Sequence, residues 1–139
     1  MKVKDKDVSI TRGGSAAADR RRTARRGEAL AALLLRLKGY RIEARNWRCS
    51  LGEIDIVAWD GGTLVFVEVK TRANRAAGSP EEAVTLAKQR RLALLAQAFL
   101  GKRRDEPPPC RFDVVAVEGP TPWPRIRHLK AAFRSDGLT

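Results

Sequence analysis

Histidine occurs once in the 139 residues, at His128, and cysteine twice, at Cys49 and Cys110, far apart and in no metal-ligand spacing. A structural zinc site takes four nitrogen or sulfur ligands, so this scarcity argues against one. It also leaves Ser-His-Asp or Cys-His hydrolysis with a single histidine near the C-terminus and no nucleophile motif. Long apolar runs are missing as well. The longest, Ala29 to Leu35, falls far short of the ~18–20 residues that a membrane span requires. Residues 1–22 carry basic side chains but no apolar stretch, which is not the pattern of a secretory signal. The expectation is a reduced, soluble, cytoplasmic protein with no membrane partner. Chemistry has to come from carboxylates, lysine and a hard metal ion.

Positive charge is abundant. Lysine and arginine number 28 against 16 acids, a formal net charge of +12. Such an excess favours polyanionic partners such as nucleic acid. Arginine exceeds lysine by 20 to 8 and alanine is frequent, a bias that GC-rich coding also produces, so composition alone leaves both readings open. The length and the 43% hydrophobic content suit one compact domain. Residues 1–22 hold few large apolar groups and read as a basic disordered tail, either an arm that follows phosphates or a solvated extension. Residues 23–139 then form the single domain.

Within that domain the expected order is α-β-β-β-α-β-β. A helix over about Thr23–Lys38 ends at Gly39, with Leu30, Leu33, Leu34 and Leu37 spaced as a core stripe. Strands follow at Tyr40–Arg48, Glu53–Trp59 and Thr63–Lys70, then a basic loop from Thr71 to Gly78. Ser79, Pro80 and Glu82 have the spacing of a capping box that opens a second helix ending near Leu100. Phe112–Glu118 and Arg125–Lys130 read as the last strands.

The chemistry concentrates in one hairpin. A two-residue Gly61-Gly62 loop closes Asp60 against Thr63. Counting back along both strands sets Asp55 opposite Glu68, and Glu53 opposite Lys70. Asp55, Val57, Trp59, Leu64, Phe66, Glu68 and Lys70 then share one face. Ile54, Ile56, Ala58, Val65, Val67 and Val69 share the other. Two carboxylates directly across a strand pair stand roughly 5 Å apart and repel, whereas a divalent cation between them makes the pair favourable. Lys70, about 7 Å further along the same face, is placed to serve a phosphoryl oxygen or an attacking water. The other reading is a set of independent surface charges.

Gly52-Glu53-Ile54-Asp55, Val67-Glu68-Val69-Lys70-Thr71-Arg72 and Arg111-Phe112-Asp113-Val114-Val115, preceded by Arg26-Gly27-Glu28-Ala29, resemble the YraN-like family of small bacterial proteins. The resemblance spans about Thr23–Phe133. That family in turn is similar to the restriction-endonuclease-like PD-(D/E)XK superfamily, including Holliday-junction resolvases. The resemblance implies a three-layer α/β fold with a mixed central sheet. It also implies Mg²⁺ or Mn²⁺ held by Asp55, Glu68 and the Val69 carbonyl, with Lys70 as the catalytic lysine. Ile54, not proline, precedes Asp55, and within the superfamily that proline is often absent.

In the resembling nucleases a first-helix glutamate completes the acidic cluster, and Glu28 occupies that place. Glu28 falls on a second stripe with Ala24, Ala31 and Leu35, which either faces the sheet or leaves Glu28 in solvent. Lys88 and Arg91 share a face of the second helix with Val84 and Leu95, and either reach the site or lie in solvent. Arg72 and Arg75 follow the lysine and are expected to contact phosphates. Trp59 reads as core, while Trp47 and Trp123 are open between core and base stacking. The function expected is metal-dependent hydrolysis of nucleic-acid phosphodiesters, with DNA, branched DNA included, favoured over RNA. The alternative is a non-catalytic nucleic-acid-binding module on the same fold. A homodimer would suit symmetric cutting of two strands.

Overall fold

Strand residues that alternate between two apolar sets must be covered on both faces, and among the described residues one helix lies on each face. The computed structural model describes residues 2–72, 84–101, 106–119 and 123–134, with side chains from residue 15 onward. The elements are α1 (Lys2–Leu37), β1 (Arg41–Cys49), β2 (Gly52–Asp60), β3 (Thr63–Arg72), α2 (Leu86–Leu100), β4 (Cys110–Glu118) and β5 (Arg125–Phe133). This is the expected order, in a mixed α/β fold. The sheet runs β1-β2-β3-β4-β5. Only β3 and β4 are parallel, a join that needs a crossover, and α2 lies within it. Ala31, Ala32 and Leu35 of α1 pack on Ile56, Ala58, Val65, Val67, Val115 and Val117. Leu92, Ala93, Leu95 and Ala96 of α2 pack on Val57, Leu64, Phe66, Phe112 and Val114.

Several expectations are corrected. The segment read as a disordered tail is helical, since α1 begins at Lys2. Alanine and arginine are strong helix formers, and lengthening a helix already nucleated on the core is cheap. Among the described side chains of α1, full burial begins at Gly27. The packed stripe of α1 takes in only half of the leucine stripe: Leu30 and Leu34 pack at the edge of the core, Leu33 is 52% and Leu37 78% exposed, and Ala31 and Leu35 are the fully buried residues. Small side chains let the helix come close to β3. A Cβ on Gly27 would stand 2.1 Å from Thr71 Oγ1. Close approach outweighed apolar bulk. Thr71 and Arg72 belong to β3 rather than to a loop. Thr85 caps α2, its side chain accepting from the Lys88 N–H at 3.3 Å. The Ser79-Pro80-Glu82 signal and Arg75 lie outside the described residues. Trp59 and Trp47 pack at the edge of the α2-side core, Trp47 edge-on to Phe99. Neither cysteine forms a disulfide.

Beneath the C-terminal end of α1 lies a polar network that the sequence reading did not foresee. Asp113 is buried on β4. Its Oδ2 accepts from His128 Nε2 at 2.7 Å, and its Oδ1 accepts from Arg111 Nε at 2.8 Å and from the Ala131 N–H at 3.0 Å. Arg111 also donates to Asp60 and to Tyr40, and Lys38 donates to His128 Nδ1 at 2.9 Å. An irregularity in the β4–β5 ladder between Phe112 and Val114 admits the Asp113 side chain. Although burial works against its charge, the bonds from His128, Arg111 and Ala131 hold the Asp113 carboxyl at about 2. Its stabilising contribution is therefore complete above the ordinary carboxylate value and is lost as pH falls through about 2.

Two outcomes follow for urea or thermal unfolding. Asp113→Ala strands buried donors and should cost about 3–5 kcal/mol. Gly27→Ala should cost about 1–3 kcal/mol through overpacking, and Thr71→Ala in the same chain should recover part of that loss.

Candidate metal centre

The β2–β3 ladder begins at the Gly61-Gly62 loop in the expected register and stops at Ile56 opposite Val67. Asp55 and Glu68 are thus the first opposed residues past the end of the pairing. There the Asp55 side chain replaces the ladder, its Oδ2 accepting from the Val69 N–H at 2.8 Å. On the other flank, Asn46 of β1 adopts φ 53° and falls between the pairs Arg45–Ile56 and Trp47–Ile54. Side-chain alternation breaks at this point. Ile54 joins the α2-side core with Val57 and Leu64, whereas Ile56 stays on the α1 side. The expected common face for Ile54 and Ile56 is therefore corrected. The strand kinks at the carboxylate.

The kink turns Glu53 and Asp55 toward α1. Carboxylate oxygens of Glu28, Glu53 and Asp55 lie within 4.8 Å of one another. Glu28 is thus at the site, delivered by the Ala24–Ala31–Leu35 stripe. Glu53 does not meet Lys70 as the register implied; it accepts from Arg48 Nε at 3.0 Å. Asn46, with its amide nitrogen turned inward, donates to Glu28 Oε2 at 2.8 Å and to Glu53 Oε1 at 3.0 Å. Sequence reasoning passed over Glu53 and Asn46. The signal for Glu53 was its i,i+2 spacing from Asp55; nothing local marked Asn46.

Glu68 lies against Asp55 and feels the charges of Lys70 and Lys88. Lys88 also lies against Lys70, so the first turn of α2 does reach the site. Arg91, one turn on, lines a cleft of about 230 Å³ with Gly52, Glu53, Glu68, Lys88, Leu92 and Leu95. On the α1 side a second cleft, about 300 Å³, is lined by Arg21, Ala24, Arg25, Glu28, Asn46, Arg48 and Glu53. Arg72 continues β3 beyond Lys70, its carbonyl accepting from the Gly119 N–H at 3.2 Å.

Electrostatics follow from this crowding. Burial, then the charge of Glu68, pushes the Asp55 carboxyl up to about 7, against the pull of the Val69 N–H. Burial also raises Glu68, while Lys70, Lys88 and the Asp55 contact oppose the rise. Glu28 is raised by burial and by Glu53. The Lys70 ammonium is held below the ordinary lysine range by its contact with Lys88 and then by burial, with Glu68 pulling the other way. Three carboxyls raised together are anions short of positive charge. The donor set, hard oxygens with a main-chain amide group fixed among them, suits Mg²⁺ or Mn²⁺ rather than a softer ion.

A carboxyl whose folded value exceeds its unfolded value of 3.8 binds its proton more tightly when folded. Stability should therefore fall as pH rises from about 4 through about 7, in metal-free protein. Melting curves across that range check this. Asp55→Asn should flatten the decline and raise the melting temperature at pH 8 by several degrees.

Residues 27–117 match the profile of an uncharacterised protein family, UPF0102. A UPF0102 protein of Symbiobacterium thermophilum is 58% identical over 116 residues, covering 83% of this chain and 98% of that protein. One from Geotalea uraniireducens is 46% identical over 117 residues, 84% of this chain and 92% of the relative. One from Moorella thermoacetica is 54% identical over 98 residues, 70% of this chain and 82% of the relative. The matched span contains both helix-to-sheet contacts and every carboxylate of the centre, and the chain belongs to the UPF0102 family.

Proposed function

We propose that this chain is a metal-dependent nuclease that hydrolyses phosphodiester bonds of nucleic acid, on a fold akin to the PD-(D/E)XK superfamily. The observation that carries the reading is the Asp55–Glu68 pair at the end of the β2–β3 ladder, with Lys70 beside it. A protein built for stability alone would not bury two adjoining carboxyls among further acids. Asp55 and Glu68 would hold the cation, joined by the Val69 carbonyl and Glu28, with Glu53 adjacent. When bound, Mg²⁺ or Mn²⁺ supplies Lewis acidity and neutralises phosphate charge.

The chain's own groups do the rest. Asp55 is pinned by the Val69 N–H, so its free oxygen keeps a fixed direction. Ionised Glu68 attracts Lys70 and Lys88 and keeps two ammonium groups at the lip of the cleft. Their combined positive charge stabilises an oxyanion on phosphorus as negative charge builds there. Arg91 on one side and Arg25 and Arg48 on the other give the polyanion salt-sensitive holds.

The test is a cutting panel of single-stranded, duplex and branched DNA and RNA with Mg²⁺, Mn²⁺ or EDTA. Cutting should require the metal. Lys70→Ala, Asp55→Asn and Glu68→Gln should each lower the rate by roughly 10²–10⁴-fold. Cutting that survives in these variants contradicts the proposal. Tight binding without metal-dependent cutting would favour a non-catalytic nucleic-acid-binding module.

A further inference from the structure

The register across β3, β4 and β5 brings further cations into line with Lys70 and Arg72. Lys70 pairs with Ala116, and Ala116 with Arg127. Residues paired across a sheet share a face, so Lys70 and Arg127 stand in one row with only a methyl group between them. Two strand spacings separate them, about 10 Å at the backbone. The next row outward is Arg72, Glu118 and Arg125. This face is the one that carries Phe66, Glu68 and Val114, toward α2.

Glu118 explains why Arg127 stays in place. Its side chain is buried, and Oε1 accepts from Arg127 Nε at 2.9 Å and also from Nη2. Oε2 is buried without a partner among the described residues. A buried carboxylate satisfied at one oxygen is a poor stabilising device, but it holds a guanidinium flat with Nη1 outside the pair. The Arg127 side chain remains 37% exposed. Just before β5, at this same end of the sheet, Trp123 is 87% exposed. An aromatic that large, left in water beside a row of cations, has the features of a base-stacking platform.

We propose that the β3–β4–β5 end of the sheet is a track for single-stranded nucleic acid, with Arg127 on a phosphate neighbouring the one at Lys70 and Trp123 stacked on an unpaired base. The track rests on the phosphodiester reading of the metal centre and names its substrate class. Stacking on an indole face requires a base free of its partner, which a closed duplex does not offer. Phosphate contacts alone would serve both forms, so the tryptophan is what discriminates.

Anisotropy of labelled single-stranded DNA, single-stranded RNA and a blunt duplex, with the full chain in EDTA, tests this. Wild-type protein should bind at least one single strand roughly tenfold or more tightly than the duplex, and the tighter arm identifies the preferred sugar. Trp123→Ala should weaken single-strand binding roughly tenfold and leave duplex binding and the melting temperature unchanged, with Trp123→Phe restoring most of the loss. Arg127→Gln should reduce the salt slope of single-strand binding by about one. Equal wild-type affinity for single strand and duplex overturns the track, as does unchanged single-strand binding by Trp123→Ala. If the wild type cuts with Mn²⁺ while Trp123→Ala binds normally, the track alone fails. If the wild type neither cuts nor binds any of the three, the nuclease reading fails and the track with it.

Discussion

Two carboxyls that repel each other are held together where two strands stop pairing. Asp55 and Glu68 meet one step past the last β2–β3 bridge, and the lost backbone bond is replaced by a side-chain bond from Asp55 to the Val69 amide. That replacement fixes one carboxylate, bends β2 so that Ile54 and Ile56 enter opposite cores, and opens a notch between the layers. Remove the repulsion and the kink has no chemical purpose. Under the proposed function, a divalent cation would offset that repulsion.

The surroundings are arranged for that imbalance. Gly27 and Ala31 bring α1 close enough for Glu28 to join the acids from one side. α2 brings Lys88 and Arg91 from the other. Asn46 supplies a neutral donor shared by Glu28 and Glu53, at a backbone geometry that few side chains adopt. The Arg111–Asp113–His128 network locks β4 and β5 to the C-terminal end of α1, away from the acids. One end of the sheet carries rigidity and the other carries reactive charge.

Much of this was legible in the residues. Val/Ile alternation and the diglycine loop gave the hairpin register, and with it the meeting of Asp55, Glu68 and Lys70. Periodicity placed both helices, yet it centred the packed face of α1 on Leu33 and Leu37 instead of Ala31 and Leu35, because leucine spacing cannot weigh how closely a backbone approaches a sheet. Gly27, the residue that decides it, has no apolar surface to register. Kinking at Asp55 was equally hidden, since it depends on Asn46 in a different strand. Arg127 and Glu118 align with Lys70 only once β4 lies parallel to β3, a pairing that no local pattern encodes. His128, set aside for catalysis because no nucleophile motif accompanies it, is a buried structural group whose partner, Asp113, lies on the neighbouring strand.

The most direct measurement is a calorimetric titration of metal-free protein with Mn²⁺ near pH 8, where the Asp55 carboxyl is ionised. The account predicts saturable binding that weakens at least tenfold in Asp55→Asn and again in Glu68→Gln. Absence of Mn²⁺ binding in the wild type, or equal affinity in all three proteins, would contradict it.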